Sequence, residues 1–167
     1  MKMAGFYDES ISNGLGWRAV LFVSGCPHHC PGCHNKEAQD FNYGEELNTE
    51  EIIHKITDNS ILKGITISGG EPLCPQNIEG VLDFIKEVKR VRPNFNVWCY
   101  SGYTLEQLEA RQDKITNECL QNIDVLVDGQ FVESKKNPTL KFRGSENQRI
   151  LDVKKSLEQK EIVQIAI

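Results

Sequence analysis

The chain has 167 residues, of which 39% are apolar and 26% charged, the balance of a globular protein rather than a disordered one. Its 19 basic and 24 acidic residues give a formal charge of −5, so nothing in the charge favours nucleic-acid binding. No apolar run approaches the roughly 20 residues of a membrane-spanning helix, and residues 1–8 lack the apolar stretch of a signal peptide. We therefore expect one cytoplasmic domain over residues 1–167, without a nucleic-acid or membrane partner.

Strand and helix patterns alternate along the chain. Apolar runs predict six strands, at residues 17–24, 64–67, 95–100, 123–127, 149–153 and 162–167. A capping box at Asn48 opens one helix, an apolar stripe predicts a second over residues 77–91, and Thr104 begins a third. Residues 131–148 show no period and are expected to form a long, locally basic loop. This alternation predicts an α/β fold, a partial and open (β/α) barrel of about five to six βα units.

Short turns rich in glycine or polar residues follow four of the predicted strands. They are the cysteine loop after residue 24, Gly69-Gly70-Glu71, Ser101-Gly102 and Asp128-Gly129. The carboxyl ends of parallel strands meet at one edge of a sheet, and that edge is where ligands bind. We therefore expect the four turns to converge on one functional site.

Three of the six cysteines, Cys26, Cys30 and Cys33, lie close together directly after the first predicted strand. Cysteines in a cytoplasmic chain are not expected to form disulfides. Thiolates clustered in this way favour an iron–sulfur cluster or zinc. Both kinds of site usually take four ligands, so three local thiolates leave one metal position open. Catalysis needs such a position, because a substrate can bind there.

A zinc knuckle is the alternative for the same loop. Its fourth ligand could be one of the nearby histidines, His28, His29 and His34. It could also be one of the scattered cysteines, Cys74, Cys99 and Cys119. A cysteine is, however, often a small buried hydrophobic residue, which is the reading we prefer for Cys99 and Cys119. Cys74 lies near the expected site, and its role stays open.

The spacing Cys-x3-Cys-x2-Cys resembles the signature of the radical S-adenosylmethionine superfamily. The longer stretch 21–35, with later segments in the same order, resembles the activating proteins of anaerobic (class III) ribonucleoside-triphosphate reductases. Those later segments are residues 68–73 (SGGEPL), 100–103 (YSGY), 125–129 (VLVDG), 142–145 (FRGS) and 147–149 (NQR). Gly32 stands where many superfamily members have an aromatic residue, but the activating proteins resemble this chain in having glycine there. Leu15 stands where we would expect the proline of Gly-Pro-Gly.

The resemblance implies the partial barrel of that superfamily and a [4Fe–4S] cluster held by Cys26, Cys30 and Cys33. It also implies that S-adenosylmethionine chelates the fourth iron and is cleaved reductively. The resulting radical would remove a hydrogen atom from a glycine of the reductase. The implied partners are the large subunit of the anaerobic reductase and a reduced flavodoxin-type electron donor.

The same resemblance assigns S-adenosylmethionine contacts to residues just after the strands. Around the last cysteine these are Gly32, Cys33 and His34, expected near the adenine, with simple loop geometry as the alternative. After the second strand they are Gly69, Gly70 and Glu71, expected at the methionine amino group. After the next two strands they are Ser101, Asp128 and Gln130, for which a capped turn is the alternative.

Other targets stay open for the same chemistry. Activases of pyruvate formate-lyase share the three cysteines but are generally longer. Small radical enzymes of modified-nucleoside synthesis also share them, but they need a closed pocket for a small molecule. The basic stretch 135–143 within the loop could dock the reductase, or it could simply be solvated.

Overall fold

A seven-stranded sheet organises the molecule, and the computed structural model describes all residues 1–167. In chain order the strands are β1 (Lys2–Ser10), β2 (Arg18–Val23), β3 (Glu45–Glu46), β4 (Gly64–Gly69), β5 (Asn96–Ser101), β6 (Val125–Asp128) and β7 (Arg149–Asp152). Their spatial order is β3-β1-β2-β4-β5-β6-β7, and the two outer strands do not pair with each other. The predicted open α/β architecture is therefore confirmed.

The centre of the sheet is parallel, whereas its margins are antiparallel. β2, β4, β5 and β6 are parallel neighbours, with Leu21 opposite Ile67 and Ile67 opposite Cys99. β1 and β3 on one side, and β7 on the other, run antiparallel to their neighbours. The prediction of about five to six βα units is therefore too high, because the chain turns back after β6 instead of crossing over once more.

Five α-helices accompany the strands: α1 (Thr49–Thr57), α2 (Ile78–Val91), α3 (Leu105–Ala110), α4 (Lys114–Gln121) and α5 (Val153–Gln159). The predicted capping box at Asn48 is present in part, since its side chain accepts a hydrogen bond from the Glu51 amide and begins α1. Thr104 and Gln107 form a complete capping box at α3. α2 is the longest helix, and none of the five is long and apolar enough to cross a bilayer.

The main core lies between the sheet and the helices. Leu21 and Ile67 from the sheet share one buried apolar cluster with Val81, Ile85 and Val88 from α2. The α2 side chains recur at spacings of three and four residues, so a single stripe of the helix is buried. Each fully buried aliphatic side chain stabilises this packing by roughly 1.5–3 kcal/mol.

The opposite face of the sheet is covered only in part. Trp98 on β5 packs edge-on against Phe142, with ring centroids 5.4 Å apart. Nearby, the buried guanidinium of Arg18 donates to Thr66 Oγ1 at 2.8 Å, and the Thr66 hydroxyl donates to the carbonyl of Asn13. These bonds hold the β1–β2 loop over the part of this face around Arg18, at the start of β2. The part near the carboxyl ends of the parallel strands is not covered and forms a cavity.

Several segments differ from the sequence-based expectation. The apolar pattern predicts neither β1 nor α4 nor α5, because each of them buries few or no apolar side chains. The predicted strand over residues 162–167 is wrong: this segment makes one bridge, between Leu151 and Gln164, and no ladder. The predicted loop over residues 131–148 is confirmed, and its only regular element is a short 3-10 turn at Glu133–Lys135.

Candidate functional site

A cavity of about 480 Å³ opens at the carboxyl ends of the parallel strands. The turns after β2, β4, β5 and β6 all contribute to its wall, so the predicted convergence is confirmed. The predicted site residues on the wall are Cys26, Cys30, Cys33, His34, Gly69, Gly70, Glu71, Ser101 and Gln130. Two predicted site residues, Gly32 and Asp128, do not line this cavity.

The cysteine loop is anchored at its start by backbone hydrogen bonds. The Gly25 amide donates to the carbonyl of Ala38 at 2.7 Å, and the Cys26 amide donates to that of Gln39 at 3.1 Å. Gly25 has a φ of +99°, and a Cβ there would overlap the ring of Phe41. A glycine is therefore required where the chain leaves β2 and enters the loop.

The three loop cysteines are free thiols, and each is partly exposed. Burial raises the pKa of Cys26 to about 11 and also raises that of Cys30, because a desolvated thiolate is disfavoured. Both groups therefore carry their protons at neutral pH in the metal-free protein. Metal ions bind the thiolate, so loading of this site releases protons.

The donor set of this loop fits a cluster better than a single ion. No three His, Cys, Asp or Glu side chains gather around one point that could hold a metal ion. A [4Fe–4S] cluster does not require such a point, because each of its irons takes one thiolate. The remaining cysteines, Cys74, Cys99 and Cys119, are fully buried and do not line the cavity. Three thiolates are thus what the cavity wall offers.

The histidines of the loop are occupied in different ways. His28 uses both ring nitrogens, Nε2 at 2.8 Å from Glu71 Oε1 and Nδ1 at 3.0 Å from the side-chain amide of Gln130. His29 is exposed and contacts Gln39 through Nδ1 at 3.1 Å. The ring of His34 lies on the wall against Phe131, at 5.5 Å between centroids. His28 therefore has no nitrogen free for the zinc site considered above.

Glu71 is almost completely buried, at 1% exposure, and its carboxylate accepts four hydrogen bonds. Oε1 accepts from His28 Nε2 and from the Gly102 amide at 2.6 Å. Oε2 accepts from the Ser101 hydroxyl and from the Leu73 amide, both at 2.9 Å. A carboxylate offers about four acceptor positions, so this one is saturated. Its visible role is to join three of the turns that build the cavity.

The two glycines before Glu71 are required by packing. Gly69 has a φ of +104°, and a Cβ there would lie 2.5 Å from the amide nitrogen of Val23. A Cβ on Gly70 would overlap the carbonyl oxygen of Gly25. The Glu71 amide also donates to that carbonyl at 2.7 Å. The turn after β4 therefore lies directly against the cysteine loop, as close as backbone allows.

Asp128 and Gln130, predicted together, have different surroundings. Asp128 is fully buried, and its carboxylate receives the guanidinium of Arg149 and the amide of Leu105. It therefore fixes the start of α3 and an ion pair outside the cavity. Gln130 lies on the cavity wall, with its Oε1 4.0 Å from the Cys30 sulfur.

Asn77 is a buried residue whose part in the site the sequence does not reveal. Its side-chain amide donates to the carbonyls of Ser24, Glu71 and Gly25, at 3.0, 3.1 and 3.4 Å. It thus joins the cysteine loop to the turn after β4. The sequence signal is only that of a polar residue before a helix, which usually indicates a cap.

We expect Asn77→Ala to lower the free energy of unfolding by about 2 kcal/mol, because it leaves the buried Ser24 carbonyl without a donor and removes the bonds that join the two turns. Urea unfolding would measure this loss. Asn122→Ala is the matched control, since its amide makes one local bond to the Glu118 carbonyl and should cost at most about 0.5 kcal/mol. Equal losses in the two variants would contradict the bridging role of Asn77.

Comparison with known proteins finds a family of iron–sulfur domains and several reductase-activating proteins. A family described as a 4Fe-4S single cluster domain matches residues 12–151, which include the whole cavity wall. The chain is similar to the anaerobic ribonucleoside-triphosphate reductase-activating protein of Haemophilus influenzae, with 40% identity over 154 residues, or 90% of this chain and 97% of that protein. For the Escherichia coli K12 protein of the same name, identity is 41% over 86% of this chain and 93% of that protein. For the protein of the same name from Enterobacteria phage T4, identity is 37% over 86% of this chain and 89% of that protein.

Proposed function

The chain belongs to the family of anaerobic ribonucleoside-triphosphate reductase-activating proteins, and we propose that it activates such a reductase by radical S-adenosylmethionine chemistry. One observation carries this proposal: three partly exposed thiols, and no fourth cysteine, line an open cavity at the strand ends. When bound, a [4Fe–4S] cluster would supply the electron that cleaves S-adenosylmethionine, and the resulting radical would take a hydrogen atom from a glycine of the reductase.

In this proposal Cys26, Cys30 and Cys33 hold the cluster, and the rest of the cavity wall holds S-adenosylmethionine. Two features of the wall support an open iron position: no further cysteine lies on it, and both nitrogens of His28 are engaged. His34, Ser101 and Gln130 remain candidates for contacts with the cofactor, since all three lie on the wall.

We propose a different role for three of the expected contacts. The saturated carboxylate of Glu71 cannot accept from the methionine ammonium unless one of its present donors leaves. We propose that Glu71 orients the surrounding turns and that the backbone of Gly69 and Gly70, on the wall, meets the amino group. Asp128 is engaged with Arg149 and shapes α3. Gly32, with a φ of +76°, shapes the turn before Cys33.

The open architecture favours a large target over a small molecule. The sheet does not close around the cavity, so a segment of another protein can reach the wall. A large target agrees with the relatives, which are named as activating proteins of a reductase. We propose the large subunit of the anaerobic reductase as the target, a reduced flavodoxin-type protein as the electron donor, and the cytoplasm as the location.

Anaerobic reconstitution tests the proposal. We expect a brown protein with about four irons and four sulfides per chain, which cleaves S-adenosylmethionine when reduced. With a reductase whose glycines carry deuterium, the recovered 5′-deoxyadenosine should contain deuterium. A colourless protein with stoichiometric zinc would contradict the cluster. Cleavage without deuterium transfer would contradict the reductase as target and favour a small-molecule radical enzyme.

A further inference from the structure

His28 lies at the centre of a chain of hydrogen bonds that joins three of the turns around the cavity. Its side chain is only 8% exposed, although it belongs to a loop at the cavity mouth. One ring nitrogen contacts Glu71, 43 positions further along the chain, and the other contacts Gln130, 102 positions further along. The proposed chemistry assigns this residue no role.

The chain of bonds has a defined direction. The side-chain NH₂ of Gln130 can only donate, so Nδ1 of His28 accepts this hydrogen bond. The ring hydrogen is then on Nε2, which donates to Glu71 Oε1. The Gln130 amide is thereby oriented with its oxygen towards the Cys30 sulfur, at 4.0 Å. Each member fixes the orientation of the next, from Glu71 to Cys30.

The surroundings leave the ring little freedom. Tyr103 packs edge-on against it, with 4.5 Å between ring centroids. On another side, a Cβ on Gly102 would lie only 2.6 Å from Cδ2 of the ring. A residue clamped on two sides and bonded through both nitrogens holds the segment between Cys26 and Cys30 in one place.

We propose that His28 is a positioning residue for the cluster loop: it holds Cys26 and Cys30 at the cavity mouth and orients Gln130 beside Cys30. The inference rests on the proposed function for its purpose, but the contacts from which it is argued involve only side chains and backbone of this chain. Replacing a group that orients a metal ligand typically lowers metal affinity or activity 10- to 100-fold.

Metal-free protein provides the first test. In His28→Phe, which keeps an aromatic ring but loses both bonds, we expect Cys26 and Cys30 to react several-fold faster with iodoacetamide, as measured by mass spectrometry, because the loosened loop exposes both thiols. His29→Asn is the matched control, since His29 is exposed and asparagine tolerates its φ of +50°. Its cysteines should react within about twofold of the wild-type rate. Equal rates in both variants would overturn the inference.

Reconstituted protein provides the second test. With the three cysteines retained, His28→Phe should still take up iron. We expect its apparent Kd for S-adenosylmethionine, read from the change in the EPR spectrum of the reduced cluster, to rise at least about tenfold. His28→Gln keeps an amide donor for Glu71 and should recover part of this loss. An unchanged Kd in His28→Phe would overturn the inference.

A double-mutant cycle separates a connected chain of bonds from two independent contacts. Gln130→Leu alone should raise the same Kd, but adding it to His28→Phe should have little further effect, because the chain is already broken. Fully additive effects would overturn the inference. If the wild type binds no iron, the proposed function fails, whereas the thiol comparison in metal-free protein still decides the role of His28.

Discussion

Replacing Cys30 with alanine is expected to reduce reductive cleavage of S-adenosylmethionine by at least about 10³-fold, a loss of about 4 kcal/mol in barrier lowering. The substitution removes one of the three proposed anchors for the cluster. The sulfur lies in a partly exposed loop outside the apolar core, so the fold itself does not depend on it. We expect the free energy of unfolding to change by no more than about 0.5 kcal/mol. Iron content, cleavage rate and the unfolding midpoint would be measured on the same preparation.

Cys119→Ala is the complementary control. Cys119 is fully buried in the main core and does not line the cavity. Its loss should lower stability by about 1 kcal/mol, while iron content and cleavage stay at the wild-type level. Cys30→Ala should therefore lose cleavage activity but keep its stability, whereas Cys119→Ala should lose stability but keep its cleavage activity. If Cys30→Ala unfolds instead, the loop is a structural metal site, because such domains depend on their metal for folding.

The sequence predicts the parallel centre of the sheet well because buried parallel strands are continuous apolar runs. The strand at 17–24 corresponds to β2, and the run at 123–127 corresponds to β6. The antiparallel margins of the sheet are harder to predict from the sequence. β1 pairs with β2 on one side and with the two-residue β3 on the other, and it has no fully buried residue, so its apolar pattern is weak. The chain reversal into β7 leaves no local signal, and the alternation of strands and helices therefore predicts too many parallel units.

The site shows the same division between local and distant information. Cysteines and glycines are predictable because their types at strand ends already restrict the chemistry. The hydrogen-bond partners of each polar group cannot be predicted from the sequence, because those of Glu71 and Asp128 come from distant parts of the chain. A sequence shows that a carboxylate follows a strand, but not that its four acceptor positions are already taken. This is why we propose other roles for Glu71 and Asp128 and keep the three cysteines as the proposed cluster ligands.

Gly70→Ala is expected to have the second largest effect. The new methyl group would overlap the carbonyl oxygen of Gly25 and lie 2.6 Å from that of Ala38. These two carbonyls accept the hydrogen bonds that anchor the cysteine loop and the Glu71 turn. Backbone cannot move aside as a flexible side chain can, so both turns must shift. Overpacking of this kind costs about 1–3 kcal/mol, and a displacement of about 1 Å at a reacting centre can reduce the rate about 100-fold.

Gly5→Ala is the matched control for this prediction. Gly5 lies on β1, and a Cβ there would make only an ordinary contact, 3.9 Å from Cδ2 of Phe22. Its unfolding midpoint and cleavage rate should therefore stay close to wild type. If Gly70→Ala kept the wild-type cleavage rate, the cysteine loop would tolerate displacement. Close contact between the two turns would then not be what holds the three thiols at the cavity. A 100-fold loss in Gly70→Ala alone, with the chain still folded, is expected if the turn after β4, which also carries the proposed contact with the methionine amino group, must keep its place against the cysteine loop.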